Sequence, residues 1–116
     1  MNKLYVVGIG PGAYEKMTIE AAQALKNSDV IIGYTVYVDL VKEHFPGKEF
    51  MTTPMKKEVE RCQMAFEEAI KGKTVSMICS GDAGVYGMAG LMYEVGVNYP
   101  QVELEIIPGV TAATGG

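Results

Sequence analysis

The sequence predicts an α/β domain, a mostly parallel five-stranded sheet with helices on both faces. Short apolar runs alternate along the chain with segments of helical spacing, in the order βαβαβαβαβ. These runs are nearly continuous in apolar residues, which is typical of strands buried on both faces of a parallel sheet. Strands that are apolar on both faces imply that helices cover both faces of the sheet, and the crossover connections between parallel strands are expected to be right-handed.

Each predicted strand is short, and glycine or proline follows it within two residues. The predicted strands are residues 3–9, 30–32, 49–52, 74–79 and 102–107. Gly33 is expected to end the second strand, and Pro108 with Gly109 the fifth.

Helices are predicted between these strands, at residues 18–26, 34–45, 53–70 and 85–95. In the third helix, Thr53 is expected to cap the N-terminus and Pro54 to occupy the first turn. The apolar face of this helix is predicted to comprise Val59, Cys62, Phe66, Ala69 and Ile70.

Composition argues against several classes of function. With 116 residues, of which 48% are hydrophobic and 21% charged, the chain has the make-up of one globular domain. The net charge of -4 and the lack of a basic stripe argue against a nucleic-acid partner. No apolar run approaches the roughly 20 residues of a membrane helix, and the N-terminus lacks a signal-peptide pattern, so a cytoplasmic location is expected. Cys62 and Cys79 are expected to be small buried hydrophobes in a reducing compartment.

Three glycine-rich segments follow predicted strands. They are GIGPG at 8–12, SGDAGVYGMAG at 80–90 and IPGVTAATGG at 107–116. Beyond the carboxyl ends of parallel strands, glycines and free backbone N–H groups let a ligand approach closely. The first and third segments are equally compatible with plain turns, and Asp82 in the second with simple helix capping. A helix N-terminus flanked by glycines also suits a carboxylate such as that of a methionine moiety, so the second segment is the main candidate for cofactor contact.

Other motifs fail on inspection. The tripeptide 72–74 imitates the end of a phosphate-binding loop, but Glu67 replaces the required earlier glycine and the tripeptide precedes a strand. The dinucleotide fingerprint has Ala13 in place of its third glycine, and Gly33 and Tyr34 stand where an acid should follow the second strand. His44 is the single histidine and has no partner at ligand spacing, so no metal site is predicted.

Lys56 and Lys57 are predicted to lie in the first turn of the third helix, where the macrodipole disfavours cations. Either solvent tolerates both charges or an anionic ligand compensates them.

In their order and spacing, the three glycine-rich segments resemble those of the tetrapyrrole methylase family, and the resemblance covers the whole chain. The family has two α/β domains with S-adenosylmethionine held in the cleft between them, usually in a homodimer. Residues 1–116 match the N-terminal domain, and we expect a C-terminal domain that this chain does not include. The runs GYTVYVDL at 33–40 and SGDAGVYGMAGL at 80–91 most resemble the branch that methylates cobalt-precorrin-3B at C-17 and contracts the macrocycle in cobalamin synthesis.

The resemblance implies a set of site residues. Those implied to line the S-adenosylmethionine pocket are Pro11, Ser80, Gly81, Asp82, Val85, Thr111 and Ala112. Gly10 and Tyr34 are implied to contact the tetrapyrrole, and Lys56 and Lys57 are candidates to bind its carboxylates. Tyr34 stands where relatives that methylate uroporphyrinogen have an acid. It is a candidate either for a catalytic proton donor or for a wall of the macrocycle trough, and the wall is preferred because a phenol of pKa near about 10 is a poor base at neutral pH. No other catalytic residue is predicted.

Several alternatives stay open. Another family member would act on a different precorrin carbon, in diphthamide formation or on ribosomal RNA. A Rossmann-type NAD-binding domain would use Gly8, Gly10 and Gly12 as its fingerprint, and a free-standing regulatory module would bind an adenosyl ligand or a partner protein. With half a cleft, the chain by itself is expected to be catalytically inactive.

Overall fold

A computed structural model describes residues 2–9, 17–54 and 56–108, without the side chains of residues 81–83. The strands are β1 (Asn2–Ile9), β2 (Val30–Tyr34), β3 (Glu49–Thr53), β4 (Val75–Ser80) and β5 (Val102–Ile107). The helices are α1 (Ile19–Lys26), α2 (Thr35–Val41), α3 (Glu58–Ile70) and α4 (Gly81–Gly96). A 3-10 turn at Lys42–His44 follows α2. The predicted α/β class and order of elements are confirmed.

The strands form one parallel sheet in the order β3-β2-β4-β1-β5. The chain moves from β1 through β2 to β3 at one edge, then returns through β4 to β5 at the other. Helices α1 and α2 make the outward connections, and α3 and α4 make the return. Because crossovers are right-handed, the reversal of direction places the two helix pairs on opposite faces of the sheet.

Each face of the sheet carries its own apolar layer. Helices α1 and α2 cover Ile31 and Ile78 on one face, while α3 and α4 cover Ile32 and Met77 on the other. Neighbouring residues of a strand point to opposite faces, so both Ile31 and Ile32 are fully buried. This explains why the central strands β1, β2 and β4 are rich in apolar residues, whereas the edge strands β3 and β5 are more polar and less buried.

Strand β2 is longer than predicted, because Gly33 lies inside it and does not end it. A Cβ atom at Gly33 would lie 2.5 Å from Cγ1 of Ile78 in β4. Glycine is therefore required here by a close approach between strands, which local sequence does not reveal. Helix α2 is correspondingly shorter than predicted and ends at Val41.

The predicted start of α3 was wrong, since the helix begins at Glu58 and not at Thr53. Thr53 is the last residue of β3, in agreement with the extended backbone that a following proline favours. Lys56 has a φ of 70°, in the left-handed region, which is incompatible with a helix at that point. Lys57 is the N-cap residue of α3, so neither lysine lies in its first turn.

The buried face of α3 also differs from the prediction. Cys62, Phe66 and Ala69 are buried as expected, whereas Val59 and Ile70 are 50% and 41% exposed. The buried positions also include Arg61, Ala65 and Glu68, which are spaced by four and three residues along the helix.

Helix α4 begins at Gly81, four residues before the predicted start at Val85, so the segment 80–90 is mostly helical. Its N-cap residue is Ser80, whose side chain makes no capping hydrogen bond, and Asp82 is the second residue of the helix rather than its cap. Val85, Ala89 and Met92 are buried at helical spacing. Packing of these residues on the sheet outweighs the low helix propensity of the glycines between them. Within the described residues, no helix is long and apolar enough to cross a membrane.

Candidate functional site

A cleft of about 430 Å³ opens beyond the carboxyl ends of β2 and β4. The first turns of α2, α3 and α4 surround it. Tyr34 reaches the cleft from the end of β2, and Cys79 and Ser80 reach it from the end of β4. This is the edge at which open parallel sheets bind ligands, because helix N-termini and strand ends converge there.

One wall of the cleft is aromatic. Tyr34 and Tyr37 meet edge to face, with ring centroids 5.3 Å apart and an interplanar angle of 81°. The half-buried ring of Tyr34 follows directly from its position as the last residue of β2 and the N-cap of α2. Tyr37, one helical turn later, was not identified from the sequence.

The opposite wall is the first half of α4. Gly84 and Gly87 line the cleft, and a Cβ atom at Gly87 would have no neighbour within 4 Å. The missing side chains leave the helix backbone open to a ligand. Met88 and Leu91 continue this wall with apolar side chains.

A buried cation, Arg61, also lines the cleft, although its side chain is one helical turn inside α3. It is 7% exposed, and its Nη1 donates hydrogen bonds to Oγ1 of Thr53 (2.8 Å) and to the carbonyl of Pro54 (3.3 Å). Its Nη2 lies 3.6 Å from Oε2 of the half-exposed Glu58. Arg61 was not identified from the sequence. Its spacing of four residues from Ala65 could have indicated it, because both lie on the buried face of α3, which is wider than predicted.

The two cysteines are free and buried, as predicted. Burial raises the pKa of the Cys79 thiol to about 12 and that of Cys62 to about 11. The Cys62 thiol donates to Sδ of Met88 at 3.6 Å. Both thiols are therefore protonated at neutral pH and act as apolar groups rather than as nucleophiles.

The predicted cofactor residues fall into three groups. Ser80 is exposed on the cleft, while Gly81 and Asp82 form the start of α4, with the Asp82 side chain outside the described part of the structure. Val85 is fully buried, so any ligand contact would come from its backbone. The remaining predicted residues, which lie outside the described residues, are Pro11, Thr111 and Ala112, together with the substrate candidate Gly10.

The strands that carry the three glycine-rich segments are neighbours in the sheet, in the order β4-β1-β5. Ile9 at the end of β1 pairs with Ser80, and Val7 pairs with Ile107 at the end of β5. The strand ends that these segments follow therefore lie side by side at the carboxyl edge of the sheet.

The predicted lysines lie away from the cleft lining. Both Lys56 and Lys57 are exposed, and Nζ of Lys57 lies 3.4 Å from Oε1 of Glu60 in a surface ion pair. His44 is exposed at the end of the 3-10 turn. Across the described residues, no group of three or more histidine, cysteine or acidic side chains is placed to hold a metal ion.

The sheet order and the glycine-flanked crevice define a doubly wound α/β domain with a ligand site at its carboxyl edge. A model of the tetrapyrrole (corrin/porphyrin) methylases matches residues 3–116. The chain belongs to the tetrapyrrole methylase family.

Individual relatives agree with this placement. A protein of Salmonella typhimurium named "Probable cobalt-factor III C(17)-methyltransferase" is 48% identical over 95% of this chain and 46% of its own length. The crystal structure of the methyltransferase CobJ matches 98% of this chain and 48% of its own, with 32% identity and a TM-score of 0.80. The uroporphyrin-III C-methyltransferase of Thermus thermophilus, solved with S-adenosylhomocysteine, matches 97% and 48%, with 27% identity and a TM-score of 0.74. The chain thus spans about half the length of each of these relatives.

Proposed function

We propose that this chain is the N-terminal domain of a two-domain enzyme that transfers a methyl group from S-adenosylmethionine to a tetrapyrrole in cobalamin biosynthesis. The observation that carries the proposal is that β4, β1 and β5, the strands that the three family segments follow, are neighbours and end side by side in the sheet. The particular reaction proposed is C-17 methylation of precorrin-3B or its cobalt form, with contraction of the ring. The similarity to the Salmonella typhimurium protein supports this branch.

The proposed cofactor pocket comprises Pro11, Ser80, Gly81, Asp82, Val85, Thr111 and Ala112. Ser80 is exposed at the cleft, and α4 presents its free backbone N–H groups there. Such an N-terminus favours an anionic group, in this case the carboxylate of the methionine moiety. The complex of the Thermus thermophilus relative with S-adenosylhomocysteine supports the choice of cofactor.

The side chains at the cleft suit catalysis by positioning. When bound, S-adenosylmethionine supplies a methyl group that is already activated. Tyr34 and Tyr37 offer a rigid aromatic wall, and Gly84 and Gly87 leave room for close approach along α4. Holding donor and acceptor in line can supply about 7–11 kcal/mol of the barrier reduction. We therefore assign no general base, and Tyr34 is proposed as a wall of the substrate trough.

Three further properties belong to the proposal. The second domain would complete the cleft, so the 116-residue chain alone is expected to be inactive. Family membership supports a homodimer for the longer protein, which its mass by light scattering would test. The free, buried Cys62 and Cys79 are compatible with a reducing, cytoplasmic compartment.

The proposal is tested by calorimetric titration of S-adenosylhomocysteine into this chain and into a version extended past Gly116. We expect binding to appear or tighten with the extension. In the extended protein, Asp82→Ala is expected to weaken binding at least about tenfold, because the ammonium group of the methionine moiety would lose a charged hydrogen-bond acceptor. Asp39→Ala is the matched control, since Asp39 is exposed on α2 and paired with Lys42 at 3.0 Å.

NAD serves as the second ligand in this titration. Binding of NAD without any response to S-adenosylhomocysteine would contradict the proposal and favour a Rossmann-type dehydrogenase domain. Equal losses of S-adenosylhomocysteine affinity in Asp82→Ala and Asp39→Ala would show that the start of α4 is not part of the cofactor site.

A further inference from the structure

We propose that Arg61 is the substrate-specificity residue of the cleft and binds one peripheral carboxylate of the tetrapyrrole. This inference rests on the proposed function, because it assigns a role within the same site. It replaces the predicted candidates Lys56 and Lys57, which do not line the cleft.

The charge of Arg61 lies at the cleft, close to the aromatic wall. Arg61 lines the cleft together with Tyr34, and its contact Thr53 is the residue paired with Tyr34 across β2 and β3. The guanidinium is thus held at the carboxyl end of the sheet, directly beside the aromatic wall. A flat macrocycle against that wall would bring its edge, where the carboxylates are attached, to the cation.

The guanidinium of Arg61 has hydrogen-bonding capacity that the described residues do not use. An arginine carries five N–H donors in a planar fork. Among the described residues, the hydrogen bonds of Arg61 come from Nη1, to neutral oxygens of Thr53 and Pro54. These two bonds fix the direction of the group and leave its charge without a hydrogen-bonded carboxylate in the described structure.

Arg61 is less closely paired with a carboxylate than the surface lysines Lys71 and Lys73 are. Lys71 lies 2.8 Å and Lys73 2.9 Å from Glu68, in close ion pairs. Arg61 is much more buried than either, yet its carboxylate neighbour Glu58 lies at 3.6 Å and is half-exposed. Burial makes an incompletely paired charge costly, and a ligand carboxylate held by two parallel N–H bonds would offset that cost.

A fixed guanidinium that binds one carboxylate also selects an orientation of the ring. Because the ring can present its edge to Arg61 in several rotations, the carboxylate chosen decides which carbon lies near the methyl donor. Arg61 is therefore a positioning residue and does not itself take part in methyl transfer.

The test measures binding of uroporphyrin, a polycarboxylate tetrapyrrole, to the protein extended past Gly116 by fluorescence titration. Arg61→Gln is expected to weaken binding about 10- to 100-fold, as for the loss of charged hydrogen bonds. Arg61→Lys should recover only part of this loss, because an ammonium cannot form the planar fork. Unchanged uroporphyrin affinity in a folded Arg61→Gln variant would overturn the proposal.

A second pair of variants guards against misfolding of Arg61→Gln. Glu58→Gln removes the carboxylate that competes for Arg61, and uroporphyrin affinity is expected to rise about two- to fivefold. Glu60→Gln is the matched control, since it makes the same change in the same helical turn, away from the cleft. The methyl ester of uroporphyrin, which lacks the charges, should gain nothing from Glu58→Gln. Equal effects of the two substitutions would overturn the proposal.

S-adenosylhomocysteine binding is measured in the same variants. Absence of that binding in the unsubstituted protein would refute the proposed function. If S-adenosylhomocysteine binding is intact but uroporphyrin affinity is the same in the Arg61 and Glu58 variants as in the unsubstituted protein, only the proposed carboxylate subsite is refuted.

Discussion

The two ends of the parallel sheet differ in how their polar groups are used. At the amino end, Asp29 and Thr74 bind each other twice, through Asp29 N–H to the Thr74 carbonyl (2.7 Å) and Thr74 N–H to Oδ2 of Asp29 (2.9 Å). Lys73 lies beside them and pairs with Glu49 at 3.1 Å and Glu68 at 2.9 Å. These groups satisfy one another's hydrogen bonds and charges, and they connect β2, β3, α3 and β4.

At the carboxyl end, polar groups face a cleft instead of one another. Ser80 is exposed without a capping hydrogen bond, and Arg61 keeps donors beyond those that Thr53 and Pro54 accept. Polar groups at the amino end therefore stabilise the fold, whereas those at the carboxyl end keep hydrogen-bonding capacity that the described residues do not use. Substitutions at the two ends should therefore separate stability from affinity.

Gly33 is an exception to this division, since it lies at the carboxyl end and its substitution should give the largest change in stability. It lies one residue before the cleft residue Tyr34, yet a Cβ atom there would lie 2.5 Å from Cγ1 and 3.4 Å from the carbonyl oxygen of Ile78. Gly33→Ala is expected to lower the free energy of unfolding by about 1–3 kcal/mol through overpacking, as measured by urea denaturation.

Gly90→Ala is the matched control for this substitution. Gly90 is exposed on α4, and a Cβ atom there would have no neighbour within 4 Å. Alanine should raise the free energy of unfolding by about 0.5–1 kcal/mol through helix propensity. Equal stability of the two variants would show that β2 and β4 can separate freely at this point.

Two serines of β4, one near each end of the strand, should show the same division with a smaller effect. Near the amino end of β4, the buried Ser76 hydroxyl lies 2.6 Å from that of Ser28, which also donates to the Ala24 carbonyl at 2.7 Å. Ser76→Ala should cost about 0.5–1.5 kcal/mol of stability, because Ser28 keeps its bond to Ala24. Ser80→Ala at the carboxyl end should change stability by less than about 0.5 kcal/mol.

The same serine variants should rank in the opposite order for ligand binding. In the protein extended past Gly116, Ser80→Ala is expected to weaken S-adenosylhomocysteine binding and Ser76→Ala to leave it unchanged. Calorimetry alongside urea denaturation measures both properties. A loss of affinity in Ser76→Ala, or of stability in Ser80→Ala, would contradict the division between the two ends.

The same division explains what the sequence could predict. The alternation of apolar runs and helical spacing was sufficient for the strands and for the parallel sheet, because these patterns reflect local periodicity. The carboxyl edge was predicted as the site because the glycine-rich segments begin where strands end. Gly33 and Arg61 were misjudged or missed because their roles depend on Ile78 and Thr53, which are distant in sequence or belong to another element.

The start of α4 was misjudged for a related reason. Gly81 and Gly84 favour a loop when considered locally, and the helix was therefore predicted to begin at Val85. Burial of Val85 and Met92 against the sheet decides for a helix. The placement of Asp82 and Val85 in the cofactor site stays a prediction, as does that of Ser80.

The smallest expected effect is at Glu68, on the amino-end ion pairs, and it depends on pH. Hydrogen bonds from Lys71 and then Lys73 lower the pKa of the Glu68 carboxyl below its ordinary value of 4.5. A carboxyl whose pKa is lower in the folded state stabilises the fold above the unfolded pKa, and this contribution is lost as pH falls through the folded value. Glu68→Gln should therefore reduce the free energy of unfolding at pH 7 by less than Ser76→Ala does, and the difference from the parent should shrink below about pH 4.5.

At alkaline pH the partner Lys73 titrates, and its pKa is shifted in the opposite direction to that of Glu68. The hydrogen bond to Glu68, and then that to Glu49, raises the pKa of Lys73 above its ordinary value of 10.5. Its contribution is complete below the unfolded pKa and is lost as pH rises through the folded one, so the effect of Glu68→Gln should also shrink above about pH 10.5. Glu67→Gln, an exposed neighbour on α3 with no ion pair among the described residues, is the control. Urea denaturation from acid to alkaline pH measures both variants, and a Glu68→Gln effect that stays constant across this range would mean that packing, not charge, holds Glu68 in place.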